Sequence, residues 1–225
     1  MLKLISLKLI AALAVLGLLA ACAGPQPPRH ADYTAFKKEQ PHSILVLPPV
    51  NDSSDVNASA SLLSQMTLPL AEAGYYVIPV ALMDETFKQN GLTAPAEIAQ
   101  VAPAKLREIF GADAVLYSTI TQYGSVYRVV SSTSIVDATA KLVDLKTGDV
   151  LWQGAGHATG EDVSPSFNAG YGLASMLVQA AVKQVAHSLT DDSHDVAGLT
   201  SARMLSAGPP TGPLYGPRSP KFGTD

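Results

Sequence analysis

Three hydrophobic patterns alternate along the chain. A mostly apolar run from Leu9 to Ala21 stands behind Lys3 and Lys8. Short, nearly continuous apolar stretches stopped by proline or glycine predict strands. Apolar residues at helical spacing predict amphipathic helices between them. Ser43 to Leu47 (SILVL), stopped by Pro48 and Pro49, reads as a strand buried on both faces. Asn51 to Asp55 is turn-forming and placed to cap a helix that starts near Asn57, carries Leu62, Leu63, Met66 and Leu70, and ends by Gly74. Pro69 inside that pattern predicts a kink or break. Tyr75 to Val80 is a second strand, and strand, helix and strand in so short a space predict a parallel βαβ crossover.

Ala81 to Gln89 predicts a short helix stopped by Asn90 and Gly91. Pro103 opens another, with Leu106, Ile109 and Phe110 on one side and Gly111 as its stop. Ala112 to Tyr123 is a strand by its β-branched and aromatic content, and Val126 to Asp144 continues in kind, with Ala138, Ala140 and Leu142 on a core face. Lys146, Thr147 and Gly148 form a three-residue loop, so strands near 134–144 and 149–158 are expected to pair antiparallel. Trp152, on the return strand, reads as a core anchor. Asn168 to Leu189 is the last predicted helix; Tyr171, Ala174, Val178, Ala181, Val182, Val185 and Leu189 share one face. Leu173 and Met176 fall among its polar residues and form a candidate partner surface.

The first apolar run changes the picture most. It covers roughly 20 Å at about 1.5 Å per residue, short of a hydrocarbon core of about 30 Å. It therefore reads as a secretory signal, and its end, Leu19, Ala20, Ala21 and Cys22, resembles the bacterial lipobox. In that reading Leu19, Ala20 and Ala21 are the signal-peptidase recognition residues and Cys22 is acylated as residue one of the mature chain. Two acyl chains suffice for stable anchoring. Ala23 stands where an aspartate would resemble an inner-membrane retention signal, so the expected place is the outer membrane, periplasmic face. The following residues, with Pro25, Pro27 and Pro28, read as a flexible tether that reaches at most roughly 60 Å.

Removing 21 residues from 225 leaves 204, which suits one globular domain with tails. The expected layout is signal peptide 1–21, lipidated cysteine and tether 22–41, globular α/β domain 42–190, and a Pro/Gly-rich disordered or extended tail 191–225. A formal charge of −4 provides no field to gather nucleic acid. Cys22 is the one cysteine, so lipidation leaves no intramolecular disulfide.

Motifs for chemistry are missing. There is no G-x-S-x-G elbow, P-loop or H-E-x-x-H. Gly154, Gly156 and Gly160 have the wrong spacing for a dinucleotide loop and leave a hairpin. His187, Asp191, Asp192, His194 and Asp195 form the densest group of potential metal ligands, but two adjacent aspartates at a helix end read as a solvated exit, and no metal site is assigned. Asp84 with Glu85, or Glu161 with Asp162, are adjacent in sequence without the facing geometry of an acid–base pair. The expectation is a chain without catalytic residues, cofactor or small-molecule substrate.

Several stretches together carry a resemblance: ILVLPPVND, AEAGYYVIPV, GADAVLY and above all LVDLKTGDVLW. They resemble the periplasmic lipoprotein domains of CsgG, LpoB and the amino-terminal domain of TolB. With the closing YGPRSPKFG, the mature chain is most similar to the lipoproteins of domain-of-unknown-function family 799, which includes a neisserial surface-antigen candidate. The resemblance implies an α/β fold with a mixed sheet, an initial βαβ unit, a C-terminal-half antiparallel hairpin and flanking helices. It further implies an outer-membrane lipoprotein that associates with itself or with sister envelope lipoproteins, as a non-catalytic assembly module. Likeness to LpoB implies, as an alternative, regulation of a peptidoglycan synthase, and likeness to CsgG a secretion accessory. No pair of long amphipathic hairpins that would make a barrel is apparent in the sequence.

Overall fold

The chain divides into units 1–30 and 31–225. The computed structural model describes residues 32–128, 131–163 and 192–224. Helix α1 (Thr34–Glu39) precedes strand β1 (Ser43–Val46). β1 runs parallel to β3 (Tyr76–Val77) across helix α2 (Ala58–Glu72), which is the expected βαβ unit. On its other side β1 lies parallel to β4 (Ala114–Arg128), and β2 (Val50–Asn51) pairs farther along β4. From β4 the chain continues as an antiparallel meander through β5 (Ser131–Asp144) and β6 (Val150–Thr159), giving the order β3-β1-β4-β5-β6. Helices α3 (Val80–Gln89), α4 (Pro95–Ile98) and α5 (Pro103–Phe110) occupy the connection from β3 to β4. The short α6 (Gly160–Val163) follows β6, and α7 (Ser193–Leu205) packs against β5, β6 and α2. The fold is mixed α/β with a mixed sheet and flanking helices, as the resemblance implied.

From Ile44 to Leu47 the chain is apolar without a break because it faces two cores. Ile44 and Val46 join Leu62, Met66 and Leu70 of α2, whereas Leu45 and Leu47 join Met83, Phe87 and Leu106 of α3 and α5. Alternation along the strand sends successive side chains to opposite faces, and each large side chain so buried contributes roughly 1.5–3 kcal/mol. The β5–β6 hairpin is fixed by Asp144, whose Oδ1 accepts from the backbone N–H of Lys146 (2.8 Å) and Thr147 (2.7 Å) and from Thr147 Oγ1 (3.0 Å). Gly148 takes φ 79° and donates its N–H to Asp144 O, the left-handed position that a side chain would strain.

Four expectations need correction. Residues 192–224 are not an extended tail. α7 buries Val196, Ala197, Met204 and Leu205, and the Pro/Gly segment behind it is docked. The Tyr33 hydroxyl donates to Gly212 O (2.6 Å), the Tyr75 hydroxyl to Leu214 O (2.5 Å) and Trp152 Nε1 to Thr211 O (2.7 Å). Aromatic donors that are buried need an acceptor, and the segment's carbonyls supply it. Gly74 (φ 98°) lies so close beneath that a Cβ there would sit 2.4 Å from Ser219 N.

The tether does not run to residue 41, because Phe36 of α1 is buried in the larger core. Of the kink or break expected at Pro69, the break is ruled out, because α2 continues through it. Proline has no N–H for Gln65 O, and Ser201 Oγ of α7 donates to that carbonyl instead, at 3.0 Å. In α5, Leu106 is buried but Ile109 is exposed. The predicted helix from Asn168 to Leu189 lies outside the described residues.

Candidate interaction site

β6 is the last strand of the sheet, so its outer edge decides what the fold presents. In an antiparallel ladder the N–H and C=O of one residue point the same way, toward the neighbouring strand or away from it. His157 O accepts from Arg203 Nη1 (2.9 Å) and Thr159 N donates to Asp162 Oδ2 (2.8 Å), both outside the ladder. Positions 153, 155, 157 and 159 therefore aim their backbone groups outward. Among the described residues no backbone hydrogen bond reaches the outer groups of Gln153 and Ala155. At the other end Leu142 faces Trp152 and Val143 faces Val150, so Leu151 is the extra residue of a β-bulge.

The two faces of β6 differ. Gly154 lies under Trp152, where a Cβ would be 2.2 Å from the indole ring. A Cβ on Gly156 would be 2.6 Å from Thr200 O and 2.9 Å from Met204 Cβ of α7. The glycines at 154 and 156 thus allow Trp152 and a helix to approach the strand closely, rather than cradling a phosphate. The opposite face is polar and open. Cross-strand register places Tyr117, Lys141 and Gln153 in one row and Thr119, Thr139 and Ala155 in the next. His157 Nδ1 and Asp137 Oδ1 meet at 2.5 Å in the row beyond. The Lys141 ammonium lies 5.1 Å from the Tyr117 ring centroid, and burial pushes the Tyr117 hydroxyl up from its ordinary value. A cleft of about 460 Å³ opens beside this row, with Val50, Gln100, Val101 and Val150 in its walls.

Arg203 and Asp162 make a forked ion pair, with Nη1 to Oδ2 at 3.1 Å and Nη2 to Oδ1 at 3.0 Å. The guanidinium beside Asp162, with help from Thr159 N–H, holds that carboxyl far below the usual carboxylate range. The pair therefore stays charged well into acid.

A serine and a histidine do meet. Gln65 Nε2 lies 2.8 Å from His194 Nε2, and His194 Nδ1 lies 2.8 Å from Ser61 Oγ. Tyr123 donates to Ser61 Oγ, at 2.7 Å. This chain of contacts clips β4, α2 and α7 together. The paired carboxylates are likewise engaged separately: Asp84 with Lys88, Glu85 with the Gln89 amide, and Asp162 with Arg203. Asp192 accepts from Ser134 Oγ, His194 is held as above, and among the described residues no three His, Cys, Asp or Glu side chains converge on a metal position. Leu19, Ala20, Ala21, Cys22, Leu173, Met176, His187 and Asp191 lie outside the described residues. The ion pair at the end of β6 was not legible in the sequence, because Asp162 and Arg203 are 41 positions apart.

Comparison with known proteins gives a consistent result. The family model for GNA1162-like lipoproteins matches residues 31–218. A lipoprotein of Neisseria meningitidis serogroup B, NMB1124/NMB1162, is 46% identical over 210 residues, covering 93% of this chain and 95% of that one. The crystal structure of lipoprotein GNA1162 from Neisseria meningitidis matches at 49% identity and a TM-score of 0.51, covering 65% of this chain and 99% of that one. The LpoB C-terminal domain from Salmonella enterica matches at 20% identity and a TM-score of 0.38, over 52% of this chain and 81% of that one. Likeness at that level carries no argument about partners.

Proposed function

Because the chain belongs to the GNA1162-like lipoprotein family, we propose that lipid on Cys22 holds it to the periplasmic face of the outer membrane, where it acts as a non-catalytic assembly module. The contact it offers is the outer edge of β6, and the first occupant is a second copy of the same strand. The observation that carries this reading is the pair of backbone positions at Gln153 and Ala155 that no backbone group among the described residues claims. A two-fold axis at Ala155 sets Ala155 against itself and Gln153 against His157 of the second copy, whose N–H would meet Gln153 O while its carbonyl stays with Arg203. No like charges then face each other, and the residue on the axis is small.

So short an edge is weak in free solution, since a net hydrogen bond contributes only about 0.5–1.5 kcal/mol. Anchoring both copies in one membrane raises their effective concentration and makes a weak contact sufficient. This joins the lipid to the edge in one mechanism.

The test is amide hydrogen exchange on the lipidated chain in vesicles at low and high surface density. Protection of the Ala155 and His157 amides is expected to rise with density. Equal, fast exchange at both densities would contradict the proposal.

A further inference from the structure

We infer that Arg203 and Asp162 form a stop on the β6 edge, confining strand addition to the run from Gln153 to the N–H of His157. The inference deepens the edge-pairing proposal above and rests on it for the nature of the contact. Its basis is where the pair sits. Asp162 belongs to α6, immediately after the strand, and Arg203 comes from α7. Neither is in the ladder, yet between them they occupy the outward carbonyl of His157 and the outward N–H of Thr159. Thr159 Oγ1 donates to the same carboxylate oxygen at 3.1 Å.

A strand pairing at the His157 carbonyl or beyond it would have to displace a two-bond guanidinium–carboxylate fork from these groups. Charge-assisted bidentate pairs are among the stronger hydrogen bonds. The fork also projects from the edge, with the Arg203 and Asp162 side chains 43% and 32% exposed. Long, uncovered edges are templates for open-ended pairing, and charge placed on them is a common way of limiting it. Here the bulge at Leu151 turns the strand at one end and the ion pair closes the other, leaving a short window between. A bounded window of this kind favours a closed pair over a growing ribbon.

The experiment uses the lipidated chain in detergent micelles, comparing wild type with the Asp162→Ala/Arg203→Ala double variant by light scattering and by amide exchange at Thr159. The double variant is expected to assemble beyond the wild type at roughly tenfold lower concentration, with the Thr159 amide protected in the assembly. Adding Ala155→Pro, which removes an outward N–H and puts a ring on the edge, is expected to abolish that assembly. Arg203→Lys keeps the charge and loses the fork; it carries the same expectation, so misfolding of the double variant does not shelter the inference. A mass distribution identical to wild type in the folded variants overturns it, as does assembly that survives Ala155→Pro. Failure of edge pairing itself reads differently: fast Ala155 exchange in the crowded wild type sinks the pairing proposal, while growth of the uncapped variant still upholds the stop.

Discussion

Cys22→Ser is expected to move the protein from the membrane fraction to the soluble one and to abolish palmitate incorporation. The argument is one of hydrocarbon transfer. Each methylene placed in the bilayer contributes about 0.8 kcal/mol, and two acyl chains give stable anchoring where a single short one gives only marginal, reversible binding. Among the described residues no helix is long and apolar enough to cross a membrane, and the formal charge of −4 argues against electrostatic attraction to anionic lipid. Palmitate labelling separates the two ways in which the variant could stay on a membrane, since an uncut leader carries no label. Label on the serine variant, or an unlabelled wild type, would refute the anchor.

Gly156→Val is expected to have the largest effect on the folded domain. Its Cβ would sit 2.6 Å from the Thr200 carbonyl oxygen and 2.9 Å from Met204 Cβ. Both belong to α7, which is tied on its far side by Ser201 to Gln65 O and on its near side by Thr200 Oγ1 to Val136 O (3.2 Å). The helix cannot retreat without giving up these bonds or the burial of Val196, Ala197 and Leu205. Overpacking of this kind costs about 1–3 kcal/mol and occasionally more, which for a domain of this size lowers Tm by roughly 2–12 °C. Thermal unfolding followed by circular dichroism measures it. A Tm within a degree of wild type would mean that α7 does not press on β6 as described.

What could be read from sequence divides along the range of the interactions involved. β1 and the β5–β6 hairpin were legible because their determinants are local: an unbroken apolar run, and an Asp144 carboxylate four residues from Gly148. α7 was not, and its residues explain why. The face it buries includes Ala197, Thr200 and Ser201, small or polar side chains chosen by the close approach at Gly156 rather than by hydrophobic period. The closing Pro/Gly segment hid for a different reason. Its own side chains bury little beyond Leu214, and it is held by hydroxyl and indole donors at Tyr33, Tyr75 and Trp152, far away in sequence. Composition spoke for disorder, and distant hydrogen bonds decided otherwise.

The candidate site follows the same division. A hairpin implies only that one of its strands can end a sheet. Which positions stay unclaimed depends on the register with β5 and on a helix that the patterning did not reveal.

The central claim is that two lipid-anchored copies meet along β6, and a single thiol tests it. The wild-type chain has one cysteine, which lipidation would consume, so Ala155→Cys introduces a unique free thiol at the proposed two-fold axis. Treatment of intact cells with a short bismaleimide should yield a covalent dimer of the Ala155→Cys chain, and should yield none from a cysteine placed on the distant, exposed Leu82 of α3. A chain that stays monomeric with the thiol at 155, or that dimerises equally from both positions, would contradict the account.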